Sequence, residues 1–445
     1  MLADGGSAAD AAVAAGLASC VAETVMTGLL GGGHAIYLDA AAGTVRNLDC
    51  FCAVPGLGAE PREPELLHMD VPFGAELVHY AVGPASCAVP GVPAGLGELW
   101  RAHGRLPWAR LVEPALRLAR DGVPMPAAHV ACLGMLEPVM TLREGGRIYA
   151  PGGRLLRTGE PLEQPGLVAA LESLAEEGAA GAYTGTIGES LLALSEERHG
   201  LVTRDDLASY AAHWGDPVES RWLGLRFLTR DGLSGVPSAL ARLPRLRGLS
   251  QSDRLRALVD ALDGAGPETH TTNLVAVDAD GNACVLTTSL GLGSGDWLPG
   301  LDLHLNSMLG EIDLLHGPRV PGGRMQSMMA PSIALDGDGL ALAIGAAGGT
   351  RLRTALVTVA AAILDEGLEP QAAVELPRAH PAGGVVNVEP GVDEDALAAL
   401  EAGGRTIRRW PERHHYFGGV SAVGRSGAAA DPRRSGAALA APPAG

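Results

Sequence analysis

Two adjacent threonines, Thr271 and Thr272, stand where a loop rich in helix breakers (Asp263-Gly264-Ala265-Gly266-Pro267-Glu268) gives way to the alternating apolar pattern of a strand, Leu274 to Asp278. A cut between His270 and Thr271 would leave one residue carrying both a β-hydroxyl and a free α-amino group. An α-amino group has a pKa of about 8, so the pair forms a nucleophile and its own general base, with no lysine or histidine required. The same dipeptide is also an ordinary β-branched opening for a strand. The residues alone leave both readings open.

Composition narrows the field. The chain has 445 residues, 47% of them hydrophobic and 19% charged, enough for a large core. Its formal net charge of −18 argues against a nucleic-acid backbone or an anionic membrane face as partner. All 33 basic residues are arginine. A phosphate-loop lysine, a kinase lysine and a pyridoxal Schiff base are thereby excluded, because each uses a lysine amine. Cys20, Cys50, Cys52, Cys87, Cys132 and Cys284 lack zinc spacing and read as buried free thiols. No metal-site motif occurs, so neither metal nor cofactor is expected. No apolar run is long enough to span a membrane, and no secretory signal precedes the first motif; a cytoplasmic location is the expectation.

The elements that must position the threonine are mixed. The spacing predicts helices over Ser7 to Glu23, Pro93 to His103, Trp108 to Gly122, Leu167 to Glu177, Ile187 to Arg198, Ser252 to Leu262, Arg351 to Glu366 and Asp393 to Ala402, with a short capped helix at Thr203. Strands are expected at His34 to Leu38, Thr44 to Leu48, Leu225 to Leu228, Ala283 to Ser289, Ser332 to Leu335, Leu340 to Ile344, Val385 to Val388 and Val420 to Val423. Asp280-Gly281 and Asp336-Gly337-Asp338-Gly339 read as hairpin turns rather than calcium ligands. The glycines from Gly28 to Gly33 precede a strand instead of following one, which suits close backbone approach and not a dinucleotide site. The tail beyond Pro432 reads as frayed. The pattern alone gives an α+β class.

Three further runs add specificity: ADGGSAADAAVAAGLASCVAETVMTGLLGGGHAIYLD (Ala3–Asp39), GPASCAVPGVPAGLGELWRAHGRLPW (Gly83–Trp108) and GAAGGTRLRT (Gly345–Thr354). Arranged around the TTxxxxVD strand, they resemble the γ-glutamyltranspeptidase family of N-terminal nucleophile hydrolases, over nearly the whole chain. The resemblance implies a four-layer αββα sandwich. It also implies a precursor that cuts itself at His270–Thr271 into a heterodimer of segments 1–270 and 271–445, and acyl transfer or hydrolysis of a small-molecule substrate. The stretch between Asp231 and Thr271 is shorter than the family's, which implies a lost helical lobe and a differently walled site.

Carried over position by position, the resemblance makes Thr271 the nucleophile, Ser289 the hydroxyl that supports it, and Gly348-Gly349 the oxyanion hole. The positions matching the family's glutamyl anchors are different. Phe51 stands where an arginine clamps the α-carboxylate, Gly291 near an asparagine position, Met308 for a glutamine, and Glu311 for an aspartate. Ser327 and Met328 stand for paired serines; Asn306 belongs to the same recognition segment. A charged carboxylate against Phe51 would lose its solvent without gaining a partner. The expectation is threonine chemistry with specificity moved away from γ-glutamyl groups. The alternatives are a pathway hydrolase like the divergent actinobacterial members that act on 4-alkylproline precursors, or a catalytically degenerate scaffold.

Overall fold

The computed structural model describes residues 1–60, 66–73, 76–264, 271–311, 314–315, 317–349 and 351–441. His270 and most of the loop before it lie outside the described residues. Two antiparallel sheets organise the α+β chain. The first has the order Thr272–Val277, Ala283–Ser289, Gly32–Asp39, Thr44–Cys50, His213–Gly215. The second runs Gly427–Ala430, Gly419–Gly424, Gly339–Ala347, Ser332–Asp336, Leu225–Thr229, Val218–Trp222. Both sheets combine strands from before and after residue 271.

Alternation along the strands sorts their side chains between two environments. Ala35 and Tyr37 join a helical core with Val13, Leu17, Leu96 and Leu111, whereas Ile36 and Leu38 pack with Leu228, Ile333, Leu335 and Ala343 of the second sheet. On its other face the second sheet places Phe227, Leu342 and Ile344 against Leu352, Leu356 and Val359 of the helix Arg351–Leu364.

The first helix, Ala8–Ala22, begins with a capping box in which Ser7 and Asp10 satisfy one another's backbone N–H groups. Its small residues let it lie close to the sheet; a Cβ on Gly16 would stand 3.0 Å from Leu286. The glycine run behaves as its order suggested: a Cβ on Gly32 would sit 2.6 Å from the Cys52 nitrogen, and one on Gly33 2.6 Å from the Thr287 carbonyl. Thr203 caps Arg204–Ser209 with the same box. All six cysteines are buried free thiols.

Three features differ from expectation. The helices Ala127–Met140 and Glu144–Tyr149 were not legible, because Pro138 interrupts the first and its apolar residues do not form one stripe. Val236–Arg242 is a second helix between Asp231 and Thr271. Only the head of the tail differs: Pro432–Arg434 form a turn capped by Asp431, while residues 435–441 are exposed and belong to no helix or strand. There Arg433 is buried and donates to Glu389 (Nε, 2.7 Å) and Asp431 (Nη1, 3.2 Å), while Arg378 donates to Asp431 at 2.5 Å. Fixed charge, rather than apolar pattern, pins this end.

Candidate functional site

Thr271 is 1% exposed and immediately precedes its strand. Thr272 pairs with Thr288 in the antiparallel ladder, so Thr271 continues the row toward Ser289, which pairs on its other side with Gly32. Among the described residues the Thr271 hydroxyl has no hydrogen-bond partner. A buried hydroxyl without a partner is costly and calls for an explanation. The Ser289 hydroxyl accepts a hydrogen bond from the Gly291 backbone N–H at 2.9 Å.

The strand start is braced from the segment after the first helix. The Thr272 hydroxyl donates to the Glu23 carboxylate at 2.6 Å, and Thr27 and Thr288 share a 2.8 Å hydrogen bond between hydroxyls. Burial pushes the Glu23 carboxyl above its ordinary value, with the Thr272 hydroxyl and Arg434 pulling the other way. Further along the strand, Asn273 accepts from the Thr287 hydroxyl at 2.8 Å, and its carbonyl accepts from Ser421 of the second sheet at 3.1 Å. A Cβ on Gly345 would collide with the Asn273 amide, so glycine is needed where the two sheets touch.

Gly348 and Gly349 follow the strand Gly339–Ala347 with φ of 129° and 60°, conformations open to glycine but not to most residues. Their carbonyls accept from Arg351 (3.1 Å) and Leu352 (3.0 Å), starting the next helix. Arg434 lies against this turn, its Nη2 3.3 Å from the position a Gly348 Cβ would take, and its Nη1 donates to the Met26 sulfur at 3.5 Å. Arg434 and Glu23 thus bring a cation and an acid to the glycine turn and the threonine pair. Neither residue was marked by sequence reasoning. A carboxylate in the buried run between the first helix and the glycines was the available signal for Glu23; nothing in the tail pointed to Arg434.

The recognition positions separate into two groups. Phe51, Met308 and Met328 share one apolar cluster with Cys52, Ala88, Met325 and Met329. The Asn306 amide is committed to the backbone: it donates to Leu30 and Ala88 carbonyls (2.8 Å each) and accepts from Ala88 (3.0 Å) and Met308 (3.2 Å). It holds the recognition segment in place. Glu311 and Ser307 face Gly291, where a Cβ would collide with the Glu311 carboxylate. The Ser327 hydroxyl accepts from the Met329 N–H at 3.2 Å. A separate cavity of about 540 Å³, lined by residues such as Pro55, Ser195, Thr203, Arg204 and Arg319, contains none of these positions.

No helix among the described residues is long and apolar enough to cross a membrane. The family model Gamma-glutamyltranspeptidase matches residues 1–262 and 251–441. Glutathione hydrolase proenzyme 1 of Schizosaccharomyces pombe is 26% identical over 95% of this chain and 78% of its own length. Acylase ACY 1 proenzyme of a Pseudomonas strain is 27% identical over 94% of this chain and 86% of its own. Among solved structures, the cephalosporin acylase from Bacillus halodurans superposes with a TM-score of 0.82 at 23% identity, covering 98% of this chain and 92% of that one. With the threonine-led strand, the glycine turn and matches spanning the chain, this protein is an enzyme of the γ-glutamyltranspeptidase family, a gamma-glutamyltransferase-like hydrolase or acyltransferase.

Proposed function

We propose that this enzyme matures by cutting itself at His270–Thr271 and then uses Thr271 for acyl chemistry on a small-molecule amide that is not a γ-glutamyl compound. The observation that carries the reading is the Thr271 hydroxyl, buried at the head of its strand and, among the described residues, without a hydrogen-bond partner. In maturation this hydroxyl attacks the carbonyl carbon of His270, the peptide nitrogen departs as the amine of Thr271, and water hydrolyses the resulting ester. In turnover the freed amine takes the hydroxyl proton as the oxygen attacks the substrate carbonyl, then passes it to the leaving amine. Water or a second amine releases the acyl group.

Ser289 supports the nucleophile through its hydroxyl, and the Gly348-Gly349 turn supplies the amides for the tetrahedral oxyanion, worth about 3 to 4 kcal/mol per donor. The two segments, 1–270 and 271–445, stay together as a heterodimer in a four-layer αββα arrangement, with helices outside the two sheets. The chain's kinship with proteins named as proenzymes supports this processing.

The change in specificity rests on Phe51, Met308 and Met328, three apolar side chains in one cluster at positions the resemblance assigns to polar anchors. Such a wall offers an amino-acid head group neither an anion partner nor a hydrogen bond. Denaturing mass spectrometry tests the mechanism. Wild-type protein should give two chains ending and starting at residues 270 and 271, and Thr271→Ala a single intact chain. An uncut wild-type chain identical to Thr271→Ala would instead mark a scaffold. Robust turnover of γ-glutamyl-p-nitroanilide would overturn the specificity claim.

A further inference from the structure

The strands Leu67–Phe73 and Glu76–Val82 pair as an antiparallel hairpin outside the two main sheets, with Met69 opposite Tyr80 and Asp70 opposite His79. Alternation divides the side chains between its faces. Val71 and Tyr80 are buried in an apolar cluster with Met26, Leu133 and Trp297, and Met69 packs against that cluster. His68 and Asp70, one step out of phase with Met69 and Val71, are exposed on the other face, as is His79 across the ladder.

On that exposed face the three side chains are already in register with one another. The His79 ring holds its Nδ1 2.9 Å from the Asp70 carboxylate and its Nε2 3.1 Å from Nδ1 of His68. The two rings lie 12° from parallel, with centroids 5.2 Å apart. An ionised carboxylate only accepts, so His79 carries its proton at Nδ1 and turns a bare lone pair at Nε2 toward His68. His68 then supplies the one proton between the rings. Because the two histidines stand eleven positions apart in the chain, no metal motif is legible along the sequence. The pair exists only once the hairpin has closed.

We propose that His68 Nδ1 and His79 Nε2 bind one divalent transition-metal ion of the zinc type, with Asp70 as the outer carboxylate that orients His79. Two imidazole nitrogens at about 2.0–2.1 Å from a tetrahedral ion stand roughly 3.4 Å apart, so these two need to separate by only a few tenths of an ångström. The ion takes the place of the shared proton, which His68 holds at Nε2 instead, so neither ring changes its charge. A carboxylate on the far nitrogen of a metal-binding imidazole fixes its tautomer and raises its basicity, and Asp70 stands in that position. Among the described residues no three His, Cys, Asp or Glu side chains converge on one metal position. The site is therefore an open one, with two imidazoles as its protein ligands and water in the remaining positions. The ion would clip the two strands together. Ala81, opposite His68, meets the recognition segment, where a Cβ on Gly310 would collide with the Ala81 carbonyl. Metal on the hairpin thus steadies a strand on which Met308–Gly310 rests, and the proposal stands whether or not Thr271 performs acyl chemistry.

The test is calorimetric titration of the purified protein with zinc chloride. Wild-type protein should take up one equivalent at this site, and His68→Ala and His79→Ala should each weaken that uptake by at least about tenfold, as loss of one of two ligands demands. Asp70→Asn should weaken it by about 10–100-fold, the range for an outer-shell carboxylate. His213→Ala, a change at an exposed histidine on the edge strand His213–Gly215, is the control and should leave the affinity unchanged. Zinc should raise the melting temperature of the wild-type protein and not that of His79→Ala, which also shows whether the variant has folded. No uptake by the wild-type protein overturns the site. So does uptake that His68→Ala and His79→Ala leave intact, or that His213→Ala lowers as much as they do. Full affinity in Asp70→Asn overturns the role given to the carboxylate.

Discussion

The hydroxyl of Thr272 donates a 2.6 Å hydrogen bond to the carboxylate of Glu23, tying the residue after the proposed nucleophile to a segment 249 positions earlier in the chain. The bond fixes the backbone on which Thr271 sits. A hydrogen bond to a charged group contributes about 1.5–3 kcal/mol. Glu23→Ala and Thr272→Val should each slow self-cleavage by roughly tenfold or more on that basis. The measure is the fraction of intact chain over time by denaturing mass spectrometry. Cleavage at the wild-type rate in both variants would remove Glu23 from the site.

Gly348→Ala should damage stability and turnover together. Its φ of 129° disfavours any Cβ, and the added carbon would stand 2.7 Å from the Gly418 Cα. Strain of this kind costs about 1–3 kcal/mol, and a displaced oxyanion donor about a hundredfold in rate. Gly404→Ala is the control, because its φ is 89° and nothing lies within 4 Å of the new Cβ. It should lower the melting temperature without changing turnover.

Acid should destabilise the fold from about pH 6.5 downward. Burial holds His34 well below its ordinary value of 6.5, helped by Arg230 and Arg324, and puts His304 at about 3. His129 falls to about 4 and His380 to about 3, again chiefly through burial. Below 6.5 the unfolded chain binds protons that the folded rings refuse, so stability falls as pH falls toward the folded values. Each ring contributes up to about 1.4 kcal/mol per pH unit in that window. Urea midpoints at pH 7, 6 and 5 should decline in that order, and His304→Phe should flatten the decline.

The buried charges at the tail should tolerate removal of one member poorly. Arg433→Met leaves Glu389 without its arginine and Asp431 with Arg378 alone, and Asp431→Asn weakens both Arg378 and Arg433. Breaking a buried pair costs about 3–5 kcal/mol. Denaturant unfolding should show a loss of that order for Arg433→Met, although Arg433 touches nothing in the proposed site.

Much of the frame was legible because its signals are local. Ser7 and Asp10 announced the first helix, Asp280-Gly281 the hairpin behind Thr272, and the glycines at 31–33 a crowded backbone. What stayed hidden depends on partners distant in sequence. Glu23 gains meaning only when Thr272 is placed beside it. The tail looked frayed because alanine, glycine and proline carry no apolar period, whereas Arg433 is fixed by acids at Glu389 and Asp431. Phe51, Met308 and Met328 were each visible as departures from the family pattern; that they share one apolar cluster was not.

The interleaving of strands has a consequence for timing. Gly32–Asp39 lies between Ala283–Ser289 and Thr44–Cys50, and Ser332–Asp336 lies beside Leu225–Thr229. Residue 271 therefore meets its neighbours only after chain made early and chain made late have zipped together. The proposed scission at that point would then be a clock that starts at the end of assembly, so a chain truncated before its last strands should stay in one piece.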